Sequence, residues 1–258
     1  MLGVKMDNDM TPTRPLERPP LWRRLLAEFI GTGLLVAIVV GSGIMASRLS
    51  PHDVGLQLLE NSIATALGLA VLILVLGPVS GAHLNPVVSL VDAIAGLGTS
   101  RLGYVPLVGY VLAQIAGAVG GAVLANAMFG IGPAVASTDR VNVGTVIGEV
   151  VATAGLLLVI LGLSRSNRPA VIAVSVGAYI GAAYWFTSST SFANPAVTIG
   201  RIFSDTFAGI APASAWVFIA TQLVGGAIGL GVATALFPRL PQTAAELVAP
   251  TTPRNGKS

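Results

Sequence analysis

Six uninterrupted apolar runs constrain this chain more than anything else in it: residues 25–47, 58–77, 104–127, 144–163, 170–187 and 212–236. Each approaches the roughly 20 residues that a helix needs to cross hydrocarbon. Only 10% of the 258 residues are charged and 53% are hydrophobic, whereas a soluble domain carries about 25% charge. A bilayer hides such a surface more readily than water does. The first run is not a signal peptide, because it is long, has no convincing cleavage site and is followed by five more.

Charge placement orients the spans. Lys5, Arg14, Arg18, Arg23, Arg24, Arg101, Arg165, Arg168, Arg239, Arg254 and Lys257 fall on one side, and Arg48, Arg140 and Arg201 on the other. The positive-inside bias puts both termini in the cytoplasm. The net charge of +3 therefore reflects topology, and no nucleic-acid partner is expected. With no cysteine, disulfides and thiolate chemistry are excluded. Residues 1–20 and 239–258, rich in Pro, Thr and Asn, read as disordered cytoplasmic tails around a single unit at 21–238.

That unit repeats itself, about 21–127 and 144–238. Glu28-Phe-Ile-Gly-Thr32 matches Glu149-Val-Val-Ala-Thr153, Asn85-Pro86 matches Asn194-Pro195, and Ala113-Gln-Ile-Ala-Gly-Ala118 matches Thr221-Gln-Leu-Val-Gly-Gly226. Three landmarks in one order argue for duplication. Each half holds three spans, an odd number, so the second half runs opposite to the first. Inverted repeats with interrupted helices suit binding and permeation at the membrane midplane. The pairs Gly117–Gly121 and Gly225–Gly229 have the spacing that lets membrane helices approach closely.

Both Asn-Pro pairs follow directly on a span, and irregular backbone at that depth is tolerated only inside protein or beside a wet cavity. Pro suits the first position of a helix and Asn the cap before it. The pattern predicts half-helices at 86–95 and 195–204, entering from opposite faces and meeting N-terminus to N-terminus. Two positive dipole ends, with the amides of Asn85 and Asn194 between them, favour solutes that accept hydrogen bonds and oppose cations, an electrostatic selectivity for neutral polar solutes.

With these residues in hand, the sequence resembles the major intrinsic protein family, the aquaporins and aquaglyceroporins. Ser80-Gly-Ala-His-Leu-Asn-Pro-Val-Val88 resembles the first family signature and Phe192-Ala-Asn-Pro-Ala-Val197 the second; Glu28, Glu149, Gln114 and Gln222 match further landmarks. The resemblance covers roughly 21–238. It implies an all-α membrane protein, an aquaporin-like right-handed bundle of six transmembrane helices plus two re-entrant half-helices. It also implies a pore in each subunit of a homotetramer and passive flow without a cofactor. The central constriction would comprise Asn85, Pro86, Val87, Asn194, Pro195 and Ala196. Val87 stands where the family usually has Ala, and Val197 where it usually has Arg.

Carried over by the family's spacing, the outer filter falls on Thr65, Ala182, Ser191 and Val197. The expectation is a wide, mildly polar constriction with no bulky ring and no fixed cation. Arg201, one helical turn beyond Val197, is either an outer-vestibule group that meets oxyacids or an arginine snorkelling to the interface. His83 resembles a pore-lining family histidine that supports its loop, and no neighbouring His or Cys makes it a metal site. Glu28 and Glu149 lie within spans, where lone carboxylates are expensive. Their duplication suggests acceptors for the donors of the re-entrant loops, with Gln114 and Gln222 beside them; a proton relay is the alternative.

The segment from Asn194 to Ser214 looks like family members from bacteria associated with arsenic resistance. That resemblance implies passage of arsenous acid or related metalloid hydroxides across a bacterial inner membrane, with glycerol and water also passing. A general water and glycerol channel is the alternative; a secondary transporter and a structural membrane protein are others. No nucleophile–base pair or metal-ligand set points to an enzyme.

Overall fold

The computed structural model describes residues 18–96, 101–132, 134–164 and 168–237. The tails read as disordered, and Lys5, Arg14, Arg165, Arg239, Arg254 and Lys257, fall outside these apart from residues 18–20. The described residues form helices α1 (Leu21–Leu49), α2 (Val54–Ser80), α3 (Pro86–Ala95), α4 (Tyr104–Met128), α5 (Val143–Leu163), α6 (Pro169–Phe186), α7 (Pro195–Arg201) and α8 (Pro212–Leu236). Six of them are long and apolar enough to cross a membrane, and the chain is an all-α, multi-pass bundle of the aquaporin-like right-handed type. Large apolar side chains such as Leu67, Val75, Leu112 and Trp216 lie exposed on the outside, as a lipid-facing surface requires.

The two halves pack alike: α1 lies along α4 and α5 along α8, while α2 and α6 join the halves. Glycines make the first two contacts close. A Cβ on Gly117 would sit 2.2 Å from the Phe29 carbonyl oxygen, and one on Gly121 2.0 Å from that of Gly33. In the second half, Gly225 and Gly229 meet the carbonyls of Val150 and Ala154, each at 2.6 Å from the added Cβ. Both small-residue pairs are therefore helix–helix contacts.

The short helices start as the Asn-Pro pairs predict. Asn85 Oδ1 accepts from the Val87 N–H at 2.9 Å; Asn194 Oδ1 accepts from Ala196 at 3.0 Å and Val197 at 3.3 Å. The second half-helix differs from the expected 195–204 by ending at Arg201. Its end tightens into i→i+3 bonds from Ile202 to Ile199 and from Phe203 to Gly200. The outer connections then hold the chain, since the Ile202 carbonyl accepts from Ala136 N–H at 2.7 Å and the Phe203 carbonyl from Asn126 Nδ2 at 2.8 Å.

Candidate permeation pathway

Each re-entrant loop hangs on one buried glutamate. Glu28 Oε1 accepts from Ser80 Oγ at 2.6 Å and the His83 N–H at 3.0 Å; Oε2 accepts from the Leu84 N–H at 2.7 Å and Gln114 Nε2 at 2.8 Å. Glu149 repeats the set with Ser189 Oγ at 2.7 Å, Phe192 N–H at 2.9 Å, Ala193 N–H at 2.9 Å and Gln222 Nε2 at 2.6 Å. Gln114 also donates to Ser89 Oγ, and Gln222 to Thr198 Oγ1, both at 2.9 Å. Each carboxylate takes four donors that burial would otherwise leave unpaired, a costly condition. Every oxygen thus faces donors fixed in the scaffold, which is the arrangement of a support rather than of a proton relay.

The bonds hold a backbone that does not relax by itself. Ala82 and Leu84 have φ of 46° and 50°, and their counterparts Ser191 and Ala193 have 51° and 47°. Non-glycine residues in this region cost about 1–3 kcal/mol each and persist only when their surroundings over-determine them. The loops also lock to each other. Asn85 Nδ2 donates to the Ala193 carbonyl at 2.8 Å, and Asn194 Nδ2 donates to that of Leu84 at 2.7 Å. A primary amide has two N–H donors, so each asparagine has a second one, and both residues line the same cavity.

That cavity, of about 350 Å³, extends past Arg24 and Asp92 at one end, the two asparagines in the middle, and Tyr184 and Arg201 at the other. Val87, Pro86, Pro195 and Ala196 lie behind the asparagines; Val87 and Ala196 are fully buried. Val87 fills the space over Gly226, where a Cβ would meet it at 2.5 Å, so the larger side chain is accommodated by a glycine on α8. His83 lines the inner part: Nδ1 lies 3.1 Å from Ser89 Oγ, Nε2 3.6 Å from Asp92, and the ring is tilted against Tyr110.

At the outer part, Thr65, Ser191 and Val197 line the cavity, but Ala182 does not. Ala182 is exposed on the outer surface of α6. The buried stripe of α6 runs Val176, Ile180, Tyr184, at the i+4 spacing that keeps residues on one face, and 182 falls on the opposite side. The family spacing slipped by about half a turn there. Tyr184 takes the inward place, its hydroxyl 3.1 Å from Thr65 Oγ1. The expectation of a constriction without a ring is thereby corrected.

The expected absence of a fixed cation is corrected as well. Arg201 lines the cavity and is only 3% exposed, so its head does not snorkel to an interface. Its Nε donates to the Ala208 carbonyl, and its Cζ stacks 3.4 Å over the Phe192 ring. Phe192 in turn has Arg140 on it at 5.6 Å and Phe218 edge-on at 5.1 Å. Arg140 clamps the outer loop through the carbonyls of Gly209 at 2.7 Å and Phe207 at 2.8 Å.

A sequence model described as "MIP: Major intrinsic protein" matches residues 15–191. The chain belongs to the major intrinsic protein family. Among curated relatives, "Aquaglyceroporin AqpS" of Rhizobium meliloti (strain 1021) is 48% identical over 90% of this chain and 96% of its own. "Aquaporin Z" of Brucella melitensis biotype 1 is 32% identical over 80% and 94% respectively. The X-ray structure of the aquaglyceroporin from Plasmodium falciparum superposes with a TM-score of 0.66 at 23% identity, covering 85% of this chain and 98% of that one; at that identity the likeness speaks for the fold. Within the family's architecture, sequence reasoning missed Tyr184 and Phe192. Local sequence offered almost no signal for the first, because α6 is apolar on all sides and its rotation is set by packing. For the second there was none, because Phe192 reaches the pathway through the irregular loop.

Proposed function

We propose that the chain is a passive channel for small neutral polar solutes of the glycerol and water class. The observation that carries the reading is the pair of asparagines on one cavity, each with an amide donor beyond the one that locks the loops. A solute oxygen accepts from these amides, and a cation meets donors and helix N-termini of the same sign. Thr65 and Tyr184 narrow the path outside this point and offer hydroxyls to a solute that loses its water. The printed names of the relatives, aquaglyceroporin and aquaporin, favour this broad class.

The narrower reading takes arsenous acid as the solute. It rests on Val197, which leaves an apolar wall where the family usually has arginine, and on the resemblance of the Asn194–Ser214 segment; Tyr184 makes the constriction narrower than that reading assumed. We further place the channel domain at 21–238, in a homotetramer in the bacterial inner membrane with both termini cytoplasmic, and needing no cofactor. Stopped-flow light scattering on proteoliposomes separates the solutes. Glycerol re-swelling well above empty vesicles, with arsenous acid no faster, supports the broad class. Arsenous acid outrunning glycerol, and slowed by Val197→Arg, supports the narrow one. Flux of neither above empty vesicles rejects both.

A further inference from the structure

Arg201 brings more donors to the cavity than its contacts with the fold use. Four features stand together. The side chain lines the cavity at its outer end. It is buried, and no carboxylate among the described residues forms an ion pair with it. One of its five N–H donors is bound, by the Ala208 carbonyl, and among the described residues the terminal nitrogens have no hydrogen-bond partner. Its plane rests on Phe192, a ring fixed from its other contacts by Arg140 and Phe218. A buried cation without a counter-charge is expensive, and an arginine serving only the loop would need just the Nε bond. Close by, Ser191 Oγ is buried on the same cavity and has no hydrogen-bond partner among the described residues.

We infer that Arg201 is the charge-selecting residue of the outer pore: its terminal N–H groups, with Ser191 Oγ, take the acceptor oxygens of an entering solute, and its charge repels cations. The inference rests on the channel reading above. Two details of the geometry suit this task. The aromatic face holds the guanidinium by cation–π attraction while leaving its rim free, and the planar fork offers parallel donors to an oxygen-bearing solute. Val197 lies one turn nearer the asparagines on the same short helix and contributes only an apolar wall, so the fixed charge at this end of the described pathway is that of Arg201.

The test is cation leak measured against water flux in proteoliposomes. A pH-sensitive dye inside the vesicles reports proton entry under a potassium diffusion potential, and light scattering reports water. Four proteins are compared with the parent: Arg201→Gln, Arg201→Met, Arg201→Lys, and Val197→Arg combined with Arg201→Gln. The expected result is a rise of about tenfold or more in proton leak per unit water flux for both neutral variants, the scale of losing a unit charge several ångströms from the path. Arg201→Lys and the double variant, which return a cation to the same wall, bring the ratio back to within a few-fold of the parent. A ratio unchanged in Arg201→Gln and Arg201→Met overturns the inference. So does a rise shared equally by all four, which would make Arg201 a packing residue of the outer loop. If the parent itself shows no water or glycerol flux above empty vesicles, it is the channel reading that has failed.

Discussion

The loop around Asn85 and the loop around Asn194 are built on the same hydrogen bonds and surrounded by different chemistry. Glu28 and Glu149 each bind one hydroxyl, two backbone N–H groups and one glutamine amide, in the same order and at nearly the same distances. The positive-φ residues recur in register. Yet the first loop carries His83 and Asp92 where the second carries Phe192 and Arg201. Duplication has kept what holds a helix end at the midplane and let the residues that meet the solute diverge. The support is symmetric because both loops face one physical problem, buried donors in strained backbone. The wall is under no such shared constraint: His83 and Asp92 line one part of the cavity, and Phe192 and Arg201 another.

The largest effect tests the symmetric part. Glu149→Leu strands four buried donors, at about 1–3 kcal/mol each, and is expected to abolish a folded, monodisperse protein in detergent. Glu28→Leu should do the same, as read by size-exclusion chromatography. A well-folded variant of one and not the other would break the equivalence of the halves. Next is the packing that both halves share. Gly121→Leu drives a side chain into the Gly33 carbonyl and should cost about 3 kcal/mol or more, beyond ordinary overpacking. Gly229→Leu, against the Ala154 carbonyl, should destabilise by a similar amount, read as a lowered melting temperature.

Smaller effects fall on the asymmetric wall. Tyr184→Phe removes the hydroxyl that meets Thr65, and should change the glycerol-to-water flux ratio by roughly three- to tenfold, equivalent to one hydrogen bond, while leaving thermal stability within about 1 kcal/mol. Ala182→Phe, on the outer surface of α6, should leave that ratio unaltered, as stopped-flow scattering would show. The smallest effect lies in the outer connection. The exposed Asp139 carboxylate is held below its ordinary pKa chiefly by the Ser214 hydroxyl at 2.5 Å, and also by the Val141 N–H. Its stabilisation is present above the unfolded value of about 3.9 and is lost as pH falls through the lower folded value. Melting curves of the parent and Asp139→Asn should therefore differ at neutral pH and converge in acid.

The same contrast explains what could be read from the sequence. The spans were legible because their length answers to the bilayer, and the half-helices because Asn-Pro states cap and first turn in two letters. The first half-helix matches its expected bounds, while the second stops at Arg201 because Asn126 and Ala136, distant in sequence, hold the chain beyond it. Thr65 could be carried across by spacing, but Ala182 could not. An apolar helix such as α6 has almost no amphipathic contrast to fix its rotation, and a slip of two residues exchanges lipid for pore. Arg201 could be placed on the same helix face as Val197, but its burial depends on Phe192 and the Ala208 carbonyl, contacts that no local pattern announces.

The most direct test of the account is glycerol flux through the purified parent protein in proteoliposomes, measured in both directions and over a range of gradients and temperatures. A channel lined by both halves predicts rates far above empty vesicles, equal in the two directions, linear with the gradient and only weakly dependent on temperature. Rates no greater than those of bare lipid, or a saturating flux that builds glycerol against its gradient, would contradict it.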